Sequence, residues 1–264
     1  MTTRIVIHGA GGRMGQRLVA LGSADEQLEL VGALESESHP AFGKDAGLVS
    51  GIGELGIRLS NELAETAEAV IDFSVPDASQ AVLAKCQERK LPLVIATTGF
   101  SEKQQANIEE ASKVIPLVVA PNMSLAVNLT MKLAETAAGA LKDLRSGADV
   151  EIIERHHRYK EDAPSGTALR FGELISNIMG QSKHSHGREG ITGQRPMDEI
   201  GYHALRVGDN PGEHTIVFGM LGESLELTVR ATNRDSYALG ALTAAKFVAG
   251  KQAGTYSMYD VLGL

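Results

Sequence analysis

The sequence predicts an α/β protein: a doubly wound parallel sheet, followed by a smaller α+β region and a final helix. Three observations carry that expectation. Short β-branched runs that are apolar on both faces recur through the first 120 residues, as strands buried in a parallel sheet do. Helical stretches alternate with several of them, which is the pattern of a doubly wound fold. Past about Ser124 the alternation stops, and longer helices and half-exposed strands replace it.

The elements follow in order. Ile5-Val6-Ile7 reads as the first strand, and Met14, Leu18 and Leu21 share one face of the helix after it. Leu30 to Leu34, Val70 to Phe73, Leu93 to Ala96 and Leu117 to Ala120 read as further strands. Ala78 to Glu88 and Glu102 to Lys113 read as helices, the first enclosing Cys86 as a small core residue. A helix is expected from Leu125 to Lys142, then a strand at Val150 to Glu154. The next helix follows Pro164-Ser165-Gly166, with Phe171, Leu174, Ile175 and Ile178 on one face and Gly180 as its stop. Residues 181 to 201, rich in Gly, Ser, His and Arg, read as a long loop. Strands return at His214 to Phe218 and Leu225 to Arg230, and Ala238 to Val248 is the last helix.

Composition excludes several classes. The 25 basic and 33 acidic residues give a net charge of -8, which opposes general binding to nucleic acid or to an anionic membrane. A single cysteine allows neither an intramolecular disulfide framework nor a cysteine metal site. His184 and His186 have no third ligand in view, so no metal is expected. His8, His203 and His214 read as strand histidines with structural roles. There is no 18-residue apolar run and no leader pattern after Met1-Thr2-Thr3-Arg4, so a cytoplasmic protein is expected.

Two segments carry chemistry. The first, Gly9-Ala10-Gly11-Gly12-Arg13-Met14-Gly15, links the first strand to the first helix. Glycines there let the backbone approach a pyrophosphate held at the helix N-terminus, in a Rossmann-like arrangement. Glu35, 20 residues past Gly15 at the end of the second strand, is placed to bind both ribose hydroxyls. The residues after it are Ser36, Glu37, Ser38 and His39, with no Lys or Arg before Lys44. A 2′-phosphate needs a cation, so NADH is expected to be preferred to NADPH. The second segment, Arg155-His156-His157-Arg158-Tyr159-Lys160, holds no acid and precedes the helix start at Ser165-Gly166-Thr167. Cations beside an anion-ready helix N-terminus suit a small acid with more than one carboxylate. Either His156 or His157 could donate a proton, and Lys160 could anchor a carboxylate or act as a second acid. The alternative for this segment is a solvated basic loop.

The run from Glu151 through Glu154-Arg155-His156-His157-Arg158-Tyr159-Lys160 to Ser165-Gly166-Thr167-Ala168 resembles the signature of the dihydrodipicolinate reductase (4-hydroxy-tetrahydrodipicolinate reductase) family of lysine biosynthesis. Gly9 to Gly15, Asp72-Phe73-Ser74, Thr97-Thr98-Gly99-Phe100 and Ala120-Pro121-Asn122-Met123-Ser124 extend the resemblance. Arg188-Glu189-Gly190, Gly212-Glu213-His214-Thr215 and Met258 to Leu262 carry it across the whole chain. The resemblance implies hydride transfer from NAD(P)H to a cyclic dicarboxylate with loss of water. It implies His156 as proton donor with Lys160 as its partner. It implies His157, Ser165, Gly166, Thr167 and Thr98 as substrate ligands. Gly9, Ala10, Gly11, Gly12, Arg13, Met14 and Glu35 would hold the dinucleotide, with Ala96, Thr97, Thr98, Ala120, Pro121, Asn122 and Met123 on the nicotinamide side. It further implies a dinucleotide-binding domain of residues 1–124 with 235–264, and a substrate-binding and homotetramer-forming domain of residues 125–234 with a mixed sheet. Hinges near Ser124 and Arg234 would let the two close. Ala96 replaces the glycine common at that point, and Ser36 replaces an arginine that some members use for a 2′-phosphate. An amino-acid or hydroxy-acid dehydrogenase, or an idle dinucleotide sensor, could share the first domain, but neither accounts for the 155–167 segment.

Overall fold

The computed structural model describes residues 2–264. In chain order the elements are β1 (Thr3–His8), α1 (Arg13–Ser23), β2 (Leu28–Leu34), α2 (Ala46–Val49), β3 (Leu59–Ser60), β4 (Ala69–Asp72) and α3 (Pro76–Arg89). Next come β5 (Leu93–Ile95), α4 (Glu102–Ser112), β6 (Pro116–Val119), α5 (Leu125–Leu141), β7 (Asp149–His156) and α6 (Gly166–Met179). The remainder are β8 (Lys183–His186), β9 (Glu199–Arg206), β10 (Glu213–Met220), β11 (Glu223–Arg230), α7 (Asp235–Val248), β12 (Gly254–Tyr256) and α8 (Met258–Leu262). They divide into two compact units, residues 1–125 with 234–264, and residues 126–233.

The first unit is built on a seven-stranded sheet in the order β12-β6-β5-β4-β1-β2-β3. Every strand pair in it is parallel. Ile5, Val6, Ile7, Val70, Ile71, Leu93, Val94 and Ile95 are fully buried, as strands covered on both faces require. One face packs on α1 and α7 and the other on α3 and α4. Cys86 of α3 lies in the second of these cores. α4 starts with a capping box, in which Ser101 and Gln104 satisfy each other's backbone N–H groups. α7 returns to this unit, and Gly240 sits so close to the Met123 carbonyl that a Cβ would collide with it.

The second unit holds a five-stranded mixed sheet, β11-β10-β7-β9-β8. β10 is antiparallel to both β7 and β11, whereas β9 is parallel to both β7 and β8. α6 lays Phe171, Gly172 and Ile175 against this sheet. The loop expected over 181–201 is a correction: β8 (183–186) and the start of β9 (199–201) lie within it, and 181–182 and 187–198 are irregular. β8, Lys-His-Ser-His, is a polar edge strand without apolar alternation, so periodicity gives no sign of it. β9 hides behind Gly201 and two polar ends, although Ile200 and Tyr202 are buried. No helix among the described residues is long and apolar enough to cross a membrane.

Candidate active site

The segments expected to hold a dinucleotide lie in the first unit. β1 delivers the chain into Gly9, whose φ of +77° places it where glycine alone is unstrained. Gly9 N–H donates to the Leu34 carbonyl at 3.0 Å, and Gly12 N–H to the Gly9 carbonyl at 3.0 Å, closing the turn. A Cβ at Gly15 would overlap the Gly9 carbonyl and Ala10, so α1 and the loop touch only because that residue has no side chain. α1 has neither a side-chain cap nor an acid in its first turn. Its leading N–H groups therefore lack a side-chain acceptor, which suits a diphosphate. Glu35 leans over the loop, its carboxylate accepting from Gly11 N–H and Ser36 N–H, both at 2.8 Å.

A cavity of about 370 Å³ opens beside the loop, lined among others by Gly9, Gly12, Glu35, Ser36, His39 and Lys85. Lys85, from α3, donates to the Asn61 carbonyl at 2.9 Å. It arrives from an element 50 residues past Glu35, so the residues that follow Glu35 in sequence give no sign of it. A second cavity of about 490 Å³ is lined by Thr97, Thr98, Gly99, Ala120 and Pro121, past the ends of β5 and β6. Asn122 Oδ1 instead accepts from Ser124 N–H at 2.9 Å, and the Met123 side chain is buried in the core. Ala96 N–H donates to the Asp72 carbonyl at 3.0 Å.

The Asp72 side chain is fully buried and joins the margins of the two cavities. It accepts from His8 Nδ1 at 2.8 Å, Ser74 Oγ at 2.6 Å and Thr97 Oγ1 at 2.8 Å. Burial pushes its pKa upward, but the contact with His8 and the bond from the Ser74 hydroxyl outweigh that, so its carboxyl lies below the ordinary aspartate range.

The second unit holds the basic segment. The period of two along β7 puts Glu154 and His156 on its buried face. Glu154 accepts from His156 Nδ1 at 2.5 Å, Ser165 N–H at 3.0 Å, and Arg206 Nη1 and Nη2 at 2.8 Å each. Burial raises the Glu154 pKa, and the Arg206 and His156 contacts overcome it, leaving the carboxylate below its usual range. Ser165 caps α6 by accepting from Ala168 N–H at 3.2 Å, and its Oγ lies 2.9 Å from His214 Nε2. Burial, with His156 nearby, pushes His214 down to about 4. A Cβ at Gly166 would meet nothing within 4 Å, so the α6 N-terminus is open on that side. α6 also has no acid in its first turn. Thr167 is its second residue.

The segment is less bare than its sequence suggests. Arg155 faces Glu213 at 3.7 Å, and Lys160 pairs with Asp162 at 2.8 Å. His157 Nδ1 is buried without a hydrogen-bond partner among the described residues, so a ligand carboxylate would satisfy it. Sequence reasoning assigned no role to Glu154 and did not find Arg206. The period-two spacing of Glu154 and His156 was a signal for the first, whereas Arg206 lies 52 residues away. No group of three or more His, Cys, Asp or Glu side chains among the described residues is placed to hold a metal ion.

The chain matches two family models, described as dihydrodipicolinate reductase, N-terminus, over residues 3–123, and dihydrodipicolinate reductase, C-terminus, over residues 126–262. It is 57% identical to 4-hydroxy-tetrahydrodipicolinate reductase of Rhodopirellula baltica, over 98% of this chain and 96% of the relative. It is 48% identical to the enzyme of that name from Alkalilimnicola ehrlichii, over the full length of both. A solved structure of dipicolinate-bound dihydrodipicolinate reductase from Paenisporosarcina sp. TG-14 aligns with a TM-score of 0.79 at 26% identity, covering 98% of this chain and 99% of the other.

Proposed function

The chain belongs to the dihydrodipicolinate reductase family, and we propose that it reduces 4-hydroxy-tetrahydrodipicolinate to tetrahydrodipicolinate in the diaminopimelate route to lysine. One hydride and one proton enter the ring, and the hydroxyl leaves as water together with one ring proton. The reduced nicotinamide supplies the hydride when bound. The observation that carries the proposal is the His156–Glu154–Ser165 arrangement: a histidine held by a buried carboxylate beside an open helix N-terminus.

In this reading His156 donates the proton and Lys160 assists it. His157, Ser165, Gly166 and Thr167, with Thr98, take the two carboxylates. The unpartnered His157 Nδ1 and the open start of α6 support that assignment. Gly9, Ala10, Gly11, Gly12, Arg13 and Met14 hold the diphosphate, and Glu35 the ribose. Ala96, Thr97, Thr98 and Ala120 to Met123 line the nicotinamide side, where the second cavity supports Thr97, Thr98, Ala120 and Pro121. NADH is preferred, because the Glu35 carboxylate, held by Gly11 and Ser36, opposes a 2′-phosphate. Lys85 on the same cavity keeps NADPH usable. A cytoplasmic homotetramer completes the proposal. Ile153 and Leu205, each 38% exposed, share the sheet face turned away from α6 and favour association through that face.

Following NADH oxidation with the dicarboxylate as substrate tests the reading. His156→Gln should lower kcat by about 10²- to 10⁴-fold, the usual worth of a general acid, with NADH affinity nearly intact. Absence of turnover by the unaltered protein would refute the activity, and near-normal turnover by the variant would refute the acid role.

A further inference from the structure

Four donors converge on Glu154: His156 Nδ1, Ser165 N–H and both terminal nitrogens of Arg206. An ionised carboxylate only accepts hydrogen bonds, so the atom of His156 that faces it must carry a hydrogen. Arg206 grips both carboxylate oxygens and also donates to the Asp162 carbonyl, at 2.6 Å. A two-pronged guanidinium contact fixes the carboxylate plane as well as its charge.

We infer that Glu154, clamped by Arg206, holds His156 with its hydrogen on Nδ1, so that Nε2 is the atom that takes up and delivers the proton. Glu154 and Arg206 are then positioning residues for the reaction. The inference rests on the reading of His156 as proton donor. The arrangement matches in role the buried carboxylate that orients the histidine of a catalytic triad.

The charged and titratable groups facing His156 come from several elements. Glu154 lies on β7 itself, and Lys160 on the segment after it. Arg206 comes from β9, and His214 from β10 with its ring centre 5.2 Å away. Burial lowers the His156 pKa, and Lys160 and Arg206 add to that, while Glu154 opposes them. The balance lies below the ordinary histidine value, which makes the imidazolium a readier donor. His214, pushed to about 4, stays neutral and adds no charge near neutral pH. Asp162 pairs with Lys160 and so moderates that cation.

Nitrogen NMR of the full-length protein reads the ring directly, with the His156 signals assigned by their loss in His156→Asn. Above the titration, the neutral ring should carry its hydrogen on Nδ1. Glu154→Gln should move the titration of the ring, and the fall of kcat with rising pH, to lower pH. It should lower kcat about 10- to 100-fold, within the total worth of a general acid. Arg206→Lys, which keeps the charge and loses the two-pronged grip, should move the same profile to a smaller extent. A neutral wild-type ring with its hydrogen on Nε2 overturns the inference, and this measurement needs no variant of Glu154 to fold. A folded Glu154→Gln protein with unchanged kcat and pH profile also overturns it. If the unaltered protein fails to turn over the dicarboxylate, the reading of His156 falls first and the inference with it. Turnover with the hydrogen on Nε2 overturns the inference alone.

Discussion

Asp72→Asn keeps the volume of a fully enclosed polar side chain in the first unit and removes its charge. In the native structure Oδ1 receives His8 and Ser74, and Oδ2 receives Thr97. Thr97 Oγ1 is already an acceptor for Ser74 N–H, at 3.0 Å. An amide in place of the carboxylate sets its NH₂ either against Thr97 or against His8 and Ser74, so one orientation or the other leaves a buried donor unpaired. That costs about 1–3 kcal/mol, and the bonds that survive drop from charge-assisted to neutral strength, about 1 kcal/mol each. Relief from desolvating a charge returns part of this, leaving a net loss of about 2–4 kcal/mol. For a unit of this size the melting temperature should fall by about 10 °C. NADH affinity should weaken as well, because Thr97 loses its anchor beside the second cavity. The sign with pH is fixed. The Asp72 pKa is depressed, so its contribution is present above the ordinary aspartate value of 3.8 and disappears as pH falls through the folded value. Thermal melts of the two proteins should therefore converge in acid. A variant melting within about 1 °C of wild type at neutral pH, or a gap that persists unchanged below the folded pKa, would refute the reasoning.

Gly15→Ala should raise the NADH dissociation constant by about tenfold or more. Its methyl must displace the Gly9 carbonyl and Ala10, at a cost of about 1–3 kcal/mol; equilibrium titration with NADH is the check. Glu151→Gln should speed proteolysis within 187–198 about tenfold, since Arg188, Arg195 and His203 all converge on Glu151 and the first two hold that loop. Burial raises the Glu151 pKa, but these partners push it down to about 2, so the wild-type loop should loosen only as pH falls from 4.5 toward that value.

Much of this was legible along the chain. The parallel sheet was visible because its central strands are apolar on both faces, as at Val70-Ile71 and Leu93-Val94-Ile95, whereas the short, partly polar β3 and β12 left no such run. The tight turn between β1 and α1 was legible because Gly9, Gly12 and Gly15 each leave a mark in sequence. What escaped was long-range. Arg206 reaches Glu154 across 52 residues, and His214 reaches Ser165 across 49. No local periodicity encodes such pairs, and the same holds for Lys85 and Glu35, which line one cavity. β8 and β9 escaped for another reason: a short polar edge strand and a strand interrupted by Gly201 look like loop until neighbours supply their hydrogen bonds.

The return of α7 to the first unit also sets an order of events during synthesis. The core around β1 and α1 includes Ala241, Leu242, Ala245, Val248 and Met258, and Arg17 pairs with Asp235 across 218 residues. Within residues 2–125 that sheet face is covered by α1 alone, and the rest of its cover, α7, is translated only after the whole second unit. The middle unit contains all of its own strands, so it can close earlier than the unit that precedes it. The unit begun first is thus finished last, and during that delay the apolar surface that α7 will cover is open to chaperones and to aggregation.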